Sequence, residues 1–366
     1  MNPQEVFCPN MVCPARGQVG QGNIGTHDAQ EGRYVCRVCT QSFSRRKGTP
    51  FYRRRTPAAT ITLVLTLVAH GCPVAAITAA FGFQARTVEG WVAAGGQHAQ
   101  GVHEELVQQP RELEHVQADE IRVRVQGGVL WMALALMVST RLWLGGAISP
   151  RRDRRLLEQV AAQVRACAVV GWLLVAVDGL SSYVGAFRRT FRERVPQEGR
   201  GAPRKVVWEG LVIGQVIKEY AHGRVVGGGH WIAHGRASAA AALGQATGSR
   251  VLNTSYIERL NGTFRERLAG LARRTRHLLR QETSLNAGMY LVGTVYNFCT
   301  AHASLTTGDG QARTPAMAAG ITDHCWTVSE VLWHKVPPPR WQPPKQRGRR
   351  SAAMQRLIKR WAPDPD

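Results

Sequence analysis

The succession of strand and helix patterns between residues 116 and 178 limits the possible folds of this chain more than any other segment. Residues 116–125 alternate in polarity, and residues 129–139 and 142–149 are apolar runs joined by a short turn. These patterns predict three antiparallel strands. Residues 153–166 then have a helical pattern, and residues 171–177 read as a buried strand parallel to the first. The segment therefore predicts an α/β domain built on a mixed sheet with covering helices.

Two aspartates occupy places in this pattern where α/β proteins build ligand sites. Asp119 lies within the first strand, and Asp178 directly follows the buried strand. Ligand sites gather at strand ends in such sheets, and this order of elements is that of a ribonuclease H-like domain. Glu120 is our second choice at the first position, because neighbouring residues of a strand point to opposite faces.

A third acidic residue lies on a predicted helix that begins near Asn253. Apolar residues at helical spacing predict a core-facing stripe, formed by Ile257, Leu260, Phe264, Leu268 and Leu271. Glu258, Asn261 and Arg265 recur at i, i+3 and i+7 and share an adjacent face. Alone, this face could be a solvated surface of paired charges. The two upstream aspartates favour instead a third carboxylate of one site.

Three carboxylates on a strand, at the end of its neighbour and on a covering helix are suited to magnesium. Mg²⁺ prefers carboxylate oxygens and takes only a few of them from protein. Two such ions, about 3.5–4 Å apart, activate an attacking oxygen and stabilise a leaving one in phosphodiester chemistry. We therefore predict Asp119, Asp178 and Glu258 as catalytic ligands of two Mg²⁺ ions, with Mn²⁺ as a substitute.

Four of the eight cysteines cluster near the start of the chain and predict a structural zinc site. They form two pairs, Cys8 with Cys13 and Cys36 with Cys39. Two short knuckles can supply the four thiolates of a tetrahedral zinc ion. Free thiols are the alternative, since four residues separate the first pair where two are usual. The other cysteines lie singly in apolar surroundings and are predicted to be buried thiols.

The charge of the chain predicts a polyanionic partner. The formal net charge is +22 over 366 residues, which favours binding to nucleic acid phosphates. An anionic membrane is the competing partner, but no long basic amphipathic helix supports it. A basic arm without acids follows the cysteines, and we predict that it grips DNA. Its residues are Arg45, Arg46, Lys47, Arg53, Arg54 and Arg55.

Three short helical patterns follow the arm, at residues 58–69, 74–80 and 84–94. Their spacing resembles a helix-turn-helix, in which the last helix would present Arg86 and Thr87 to the major groove. A small helical bundle with a packing role only is the alternative. Asn261 and Arg265 complete the predicted DNA contacts, beside the acidic site.

Three acidic segments together resemble the motifs of bacterial insertion-sequence DDE transposases. They are Gln117-Ala118-Asp119-Glu120, residues 177–183 and residues 253–261. The run at residues 297–320 is also similar to the C-terminal region of that family, and the resemblance extends to about residue 333. It implies an enzyme that cuts and joins DNA at the inverted ends of its own mobile element. The 79 residues between Asp178 and Glu258 imply a β insertion at 206–234.

These observations predict an ordered series of parts. Residues 1–55 form a zinc ribbon and basic arm, 56–98 a helix-turn-helix, and 99–115 a linker. Residues 116–336 form a ribonuclease H-like catalytic domain, and 337–366 a basic tail rich in proline and arginine that is disordered when free of DNA.

The predicted function is that of a transposase. It would bind double-stranded DNA at element ends and target, cleave and transfer strands with Mg²⁺, and act as a homo-oligomer on DNA. The alternative is a non-catalytic DNA-binding regulator using only residues 1–98, and a nuclease or RNA-processing enzyme on the same fold is a further rival. Met1–Phe7 has no secretory signal pattern and Arg141 interrupts the longest apolar run. We therefore expect a cytoplasmic, nucleoid-associated protein without a membrane partner.

Overall fold

The computed structural model divides the chain into two compact units. The smaller unit contains residues 1–58 and 333–366, and the larger contains residues 59–332. The residues that the structure describes are 2–195, 202–221, 224–239, 251–271, 281–308 and 310–362. No boundary between these two units lies at residues 98–115, where we predicted a linker. Residues 59–94 of the predicted helix-turn-helix belong to the same compact unit as the large sheet.

The elements are numbered in chain order. The strands are β1 Ile24–Asp28, β2 Arg33–Cys36, β3 Ser42–Ser44, β4 Glu114–Val125, β5 Gly128–Met137, β6 Trp143–Ser149, β7 Leu173–Asp178, β8 Arg192–Val195, β9 Arg204–Val207, β10 Leu211–Ala221 and β11 Arg224–His234. The described α-helices are α1 Ala58–Ala69, α2 Val74–Phe81, α3 Ala85–Leu106, α4 Arg154–Ala166, α5 Ser181–Thr190, α6 Ser255–Arg267, α7 Glu282–Cys299, α8 Pro315–Ala318, α9 Val328–Trp333 and α10 Ala352–Trp361. None of the described helices has the length and apolar character needed to cross a membrane.

The larger unit is built on a six-stranded mixed sheet with the strand order β11-β10-β7-β4-β5-β6. Strands β4, β5 and β6 pair antiparallel, and β7 pairs parallel with β4. This arrangement confirms the predicted mixed sheet. The predicted insertion at 206–234 differs from the structure, because β10 pairs parallel with β7 and continues the main sheet. Leu211, Val212 and Ile213 are fully buried, as expected for a central strand covered on both faces.

Helices cover both faces of this sheet, and β4 contributes alternate residues to the two cores. Val116 and Ala118 pack with α4 and α5, whereas Ile121 and Val123 pack with α6 and α7. Asp153 caps α4, since its side chain accepts a hydrogen bond from the backbone N–H of Leu156. The alternation means that Asp119 and Glu120 leave the strand on opposite faces.

Helix α3 is longer than the sequence pattern indicates and includes the first part of the predicted linker. It continues to Leu106, and both Ala99 and Val102 are fully buried. A Cβ atom at Gly96 would collide with the backbone of Ala287 on α7, so the glycine permits close packing of the two helices. The polar residues around this narrow buried stripe conceal it in the sequence.

The smaller unit includes a three-stranded antiparallel sheet of β1, β2 and β3, together with the C-terminal segment. Helix α10 is capped by Ser351, and its apolar residues recur at i, i+3, i+4 and i+7, namely Met354, Leu357, Ile358 and Trp361. They share a core with Tyr34 and Phe43 of the three-stranded sheet. The expectation of a disordered tail is therefore wrong for this segment, because its apolar stripe packs against the three-stranded sheet.

Trp361→Ala is expected to destabilise the smaller unit by about 3–5 kcal/mol, because it removes a large buried side chain. Trp361 is only 3% exposed, and its backbone carbonyl accepts a hydrogen bond from the side chain of Gln18. Arg356→Ala, on the exposed side of the same helix, should change the free energy of unfolding by less than about 0.5 kcal/mol. Thermal unfolding and tryptic cleavage of the tail measure both, and equal effects of the two variants would show that α10 does not contribute to this core.

Candidate active site and metal centres

Strand pairing brings the two aspartates together. The parallel register of β4 and β7 pairs Gln117 with Ala176. Two residues further along each strand, Asp119 and Asp178 occupy neighbouring positions. Asp178 is the last residue of β7, so its side chain lies where the strand opens into a loop.

A buried glutamine anchors the helix that carries the third acid. The side-chain oxygen of Gln117 accepts hydrogen bonds from the backbone N–H groups of Tyr256 and Ile257, both at 3.0 Å. Its amide nitrogen donates to the carbonyl of Asn253 at 2.7 Å. A strand residue thus satisfies free N–H groups at the start of α6. This contact fixes Glu258, in the first turn of α6, relative to Asp119.

The three predicted acids line one cleft of about 680 Å³ in the larger unit. The residues that line it are Asp119, Arg152, Asp178, Gly179, Leu180, Val216, Ile217, Thr254, Glu258, Asn261 and Arg265. The hydroxyl of Thr254 donates to the Glu258 carboxylate at 2.7 Å. Arg265, which we predicted as a DNA contact, lies in the same cleft.

Asn261, which we predicted as a DNA contact, is buried beside Asp119. It is 1% exposed, and its amide donates a hydrogen bond to Asp119 Oδ2 at 2.8 Å. Its side chain therefore contacts a carboxylate within the protein, and its predicted contact with DNA stays a prediction. Its place beside the carboxylate makes it a positioning residue for Asp119.

Glu120 belongs to a second polar cluster on the opposite face of β4. Tyr183 donates its hydroxyl to Glu120 Oε2 at 2.6 Å, and Arg152 forms an ion pair with the same carboxylate. Arg152 also donates to Asp178 Oδ2 at 3.0 Å. Burial raises the pKa of Glu120, against the lowering effects of Tyr183 and Arg152. The arginine thus joins the two clusters, and no pattern in its arginine-rich loop had indicated that role.

The electrostatics of Asp119 favour a bound cation. Burial, followed by the charges of Glu120, Asp178 and Glu258, raises the pKa of Asp119 to about 7. Oxygens of Asp119, Glu120 and Asp178 all lie within 4.8 Å of one another and could hold a divalent ion. A metal ion would offset the repulsion among these carboxylates. Glu258 lines the same cleft and is near enough for its charge to raise the pKa of Asp119.

Asp119→Asn is expected to remove a pH dependence of stability. The folded pKa of about 7 exceeds the ordinary value of 3.8, so between about pH 4 and 7 the folded state binds a proton that the unfolded state has lost. Without divalent metal, the free energy of unfolding therefore falls as pH rises through this window. In the variant, the free energy of unfolding should not decrease for this reason as pH rises from about 4 to 7. The variant should therefore be more stable than the wild type at pH 8.

Denaturant unfolding at several pH values measures this effect. The control is Asp153→Asn, because an asparagine oxygen still caps α4. Addition of Mg²⁺ at pH 8 should stabilise the wild type more than Asp119→Asn. Parallel pH profiles of the wild type and Asp119→Asn would contradict the assignment of a raised pKa to Asp119.

Four cysteines in the smaller unit lie close enough to bind a metal ion such as zinc. The sulfur atoms of Cys8 and Cys39 are 3.7 Å apart, those of Cys13 and Cys36 are 3.8 Å apart, and all four lie within 4.8 Å of one another. Burial raises the pKa of Cys8, and it raises the pKa of Cys13 to about 12. Burial also acts to raise the pKa of Cys39, but polar interactions with Asn10, the backbone of Gln41 and the thiols of Cys8 and Cys13 lower it to about 7. The donor set fits zinc, whose binding would release the thiol protons.

The remaining predicted DNA contacts are distributed over both units. In the smaller unit, Arg45, Arg53 and Arg55 are exposed, whereas Arg46, Lys47 and Arg54 are partly exposed. In the larger unit, Arg86 and Thr87 are exposed in the first turn of α3. These contacts stay predictions. Comparison of the sequence with known proteins finds no matching family model and no matching curated protein.

Proposed function

We propose that this protein is a DDE-type DNA transposase with a ribonuclease H-like catalytic domain. The observation that carries the proposal is the convergence of Asp119, Asp178 and Glu258 on one cleft from three segments far apart in the chain. Each acid belongs to a segment that resembles a transposase motif. The strand order of the sheet also supports the proposal, because β4, β5, β6 and β7 follow the expected order and direction.

Different residues of the cleft would have different roles in phosphodiester chemistry. Asp119, Asp178 and Glu258 would hold Mg²⁺, which supplies activation of the attacking oxygen and stabilisation of the leaving oxygen. Asn261 orients the carboxylate of Asp119, and Gln117 holds the helix that carries Glu258. Arg265 lines the cleft and offers a positive charge that can bind a phosphate of the DNA strand.

The predicted DNA-binding parts supply affinity for element ends and target DNA. The exposed cations Arg53 and Arg55 would grip phosphates, while Arg86 and Thr87 would read bases in the major groove. The net charge of +22 supports a DNA partner. Assembly of a homo-oligomer on DNA would bring two element ends together.

A strand-transfer assay tests this function. Purified protein is incubated with a supercoiled plasmid carrying the inverted ends of the element and with a target plasmid, in Mg²⁺ and in chelator. Magnesium-dependent nicking at the ends, followed by their joining to target DNA, is expected. Cleavage without joining would identify a nuclease instead, and end binding without cleavage would identify a regulator.

A further inference from the structure

Helix α6 has a third face that the carboxylate cleft does not use. Tyr256, Arg259, Thr263 and Arg267 recur at i, i+3, i+7 and i+11, so they share one side of the helix. Glu258 and its neighbours occupy another side, and the buried residues occupy the remaining one. The two arginines of this face therefore lie about two turns apart along the helix, on the side away from Glu258.

A turn between strands brings a third arginine to this face. Arg141, in the connection between β5 and β6, has a φ of 60°, a left-handed conformation that costs a residue with a side chain about 1–2 kcal/mol. Its guanidinium carbon lies 3.7 Å from the centre of the Tyr256 ring. A glycine would fit the turn without strain, yet the chain has an arginine stacked on the helix.

Residues at and just after the C-terminal end of helix α7 also contact these arginines. The Tyr296 hydroxyl donates to the carbonyl oxygen of Arg141 at 3.1 Å, and the ring of His302 lies 4.8 Å from that of Tyr296. Arg267 donates to the hydroxyl of Thr300 at 3.0 Å. Three separate elements thus bring polar and cationic groups to one place.

The charges of all three arginines act on the same two side chains, His302 and Tyr296. Burial lowers the pKa of His302, and the charges of Arg267, Arg141 and Arg259 lower it further. The same three charges lower the pKa of Tyr296, against the larger raising effect of burial. Within the described residues, none of the three arginines forms a salt bridge, although the exposed Glu266 acts on Arg267.

Two polar atoms of the cluster lack internal partners. Among the described residues, Arg141 Nε and His302 Nε2 are buried without a hydrogen-bond acceptor or donor. Like charges repel when they converge in a partly desolvated place, so a bound anion would stabilise the arrangement. Arg259 is exposed, and Arg141 and Arg267 are partly exposed, so a ligand from solvent can reach the guanidinium groups.

We propose that Arg141, Arg259 and Arg267 form a binding site for one backbone phosphate of double-stranded DNA, separate from the carboxylate cleft. Guanidinium groups match phosphate oxygens with paired hydrogen bonds. The inference rests on the proposed function, which supplies DNA as the anion. The site would hold the duplex on a second side of the helix that carries Glu258, and so fix its register relative to the acids.

The test is the salt dependence of DNA binding by the full-length protein without divalent metal. The variant is Arg141→Gly with Arg259→Gln, and the probe is a short DNA duplex in a series of NaCl concentrations. Loss of one phosphate contact should reduce the slope of log K against log salt by about 0.9. This corresponds to affinity about eightfold weaker at 0.1 M salt. Arg154→Gln is the matched control, since that exposed arginine is already paired with Glu158, and its slope should equal that of the wild type.

Protein folding and the source of the phosphate are tested in the same series. The glycine relieves the strain at residue 141 and Arg259 is exposed, so the variant should keep the thermal stability of the wild type. The single variant Arg259→Gln should already reduce the salt slope. An unchanged slope in both variants would overturn the proposal, as would stabilisation of the wild type by inorganic phosphate with unaltered DNA binding in the variants.

Failure of this site and failure of the proposed function give different results. If the slope is unchanged while Mg²⁺-dependent cleavage proceeds, the phosphate site is wrong and the transposase assignment stands. If the slope falls but no metal supports cleavage, the phosphate site stands and the catalytic assignment is wrong.

Discussion

Glu258→Gln is expected to lower Mg²⁺-dependent DNA cleavage at least about a thousandfold while leaving DNA binding and folding intact. Glutamine retains the size of the side chain and can still accept the hydrogen bond from Thr254. It removes the negative charge that would hold a cation in the cleft. The fold should survive because Ile257, Leu260 and Phe264 make the buried contacts of α6. Cleavage of a plasmid carrying element ends, measured beside binding of the same DNA, checks this result.

Glu282→Gln provides the matched control. Glu282 is also a glutamate in the first turn of a helix, and it is exposed at the start of α7. Both substitutions remove the same favourable interaction with a helix dipole, about 0.3–1 kcal/mol. The two glutamates differ in that Glu258 lines the cleft and Glu282 does not. Cleavage by Glu282→Gln should match that of the wild type. If Glu258→Gln cleaves as well as this control does, Glu258 is not the third acid.

The carboxylates should also behave as a unit. Asp119→Asn and Asp178→Asn are each expected to lose cleavage as severely as Glu258→Gln. Combining two of these changes should cost little more than one, because residues that act together have non-additive effects. Independent, multiplicative losses would argue against a shared metal site.

Removal of zinc is expected to unfold the smaller unit. Metal binding by small zinc modules contributes about 10–16 kcal/mol to their folding, more than a core of this size supplies. Cys8, Cys13 and Cys36 are buried in the same core as Trp361, so loss of the metal should also release α10. Elemental analysis should find one zinc ion per chain, and chelation should make the tail sensitive to trypsin.

Two serine substitutions separate metal ligation from general thiol effects. Cys36→Ser should abolish zinc binding and expose the tail to protease without added chelator. Cys72→Ser, at a partly buried cysteine outside the four-sulfur cluster, should retain both zinc and protease resistance. Purified protein without zinc, with a tail that resists trypsin equally before and after chelation, would contradict the metal assignment.

The boundaries of many elements could be predicted because they depend on local chemistry. The pattern of residues 58–69 matches α1 residue for residue, and Asp153 caps a helix as a short acidic side chain at that place is expected to do. Alternation along β4 places Asp119 and Glu120 on opposite faces of the strand, but it does not indicate that their carboxylate oxygens lie within 4.8 Å of each other. The spacing of apolar residues, helix capping and the ends of strands each depend on only a few neighbouring residues. They can therefore be predicted directly from the sequence.

Tertiary structure decided which of these elements are partners. Part of the segment predicted as an insertion is strand β10 of the main sheet. Helix α10, in the tail predicted as disordered, packs against the three-stranded sheet. In both cases residues distant in the chain bury an apolar surface. Gln117 anchors α6 across 139 and 140 residues of sequence, and Asn261 turns inward to Asp119. Arg152 and Arg141 lie in loops whose sequence patterns indicate no partner. The sequence by itself determined where helices and strands form and which acids they carry, whereas the partners of the polar side chains depend on contacts between distant segments that have no local signal.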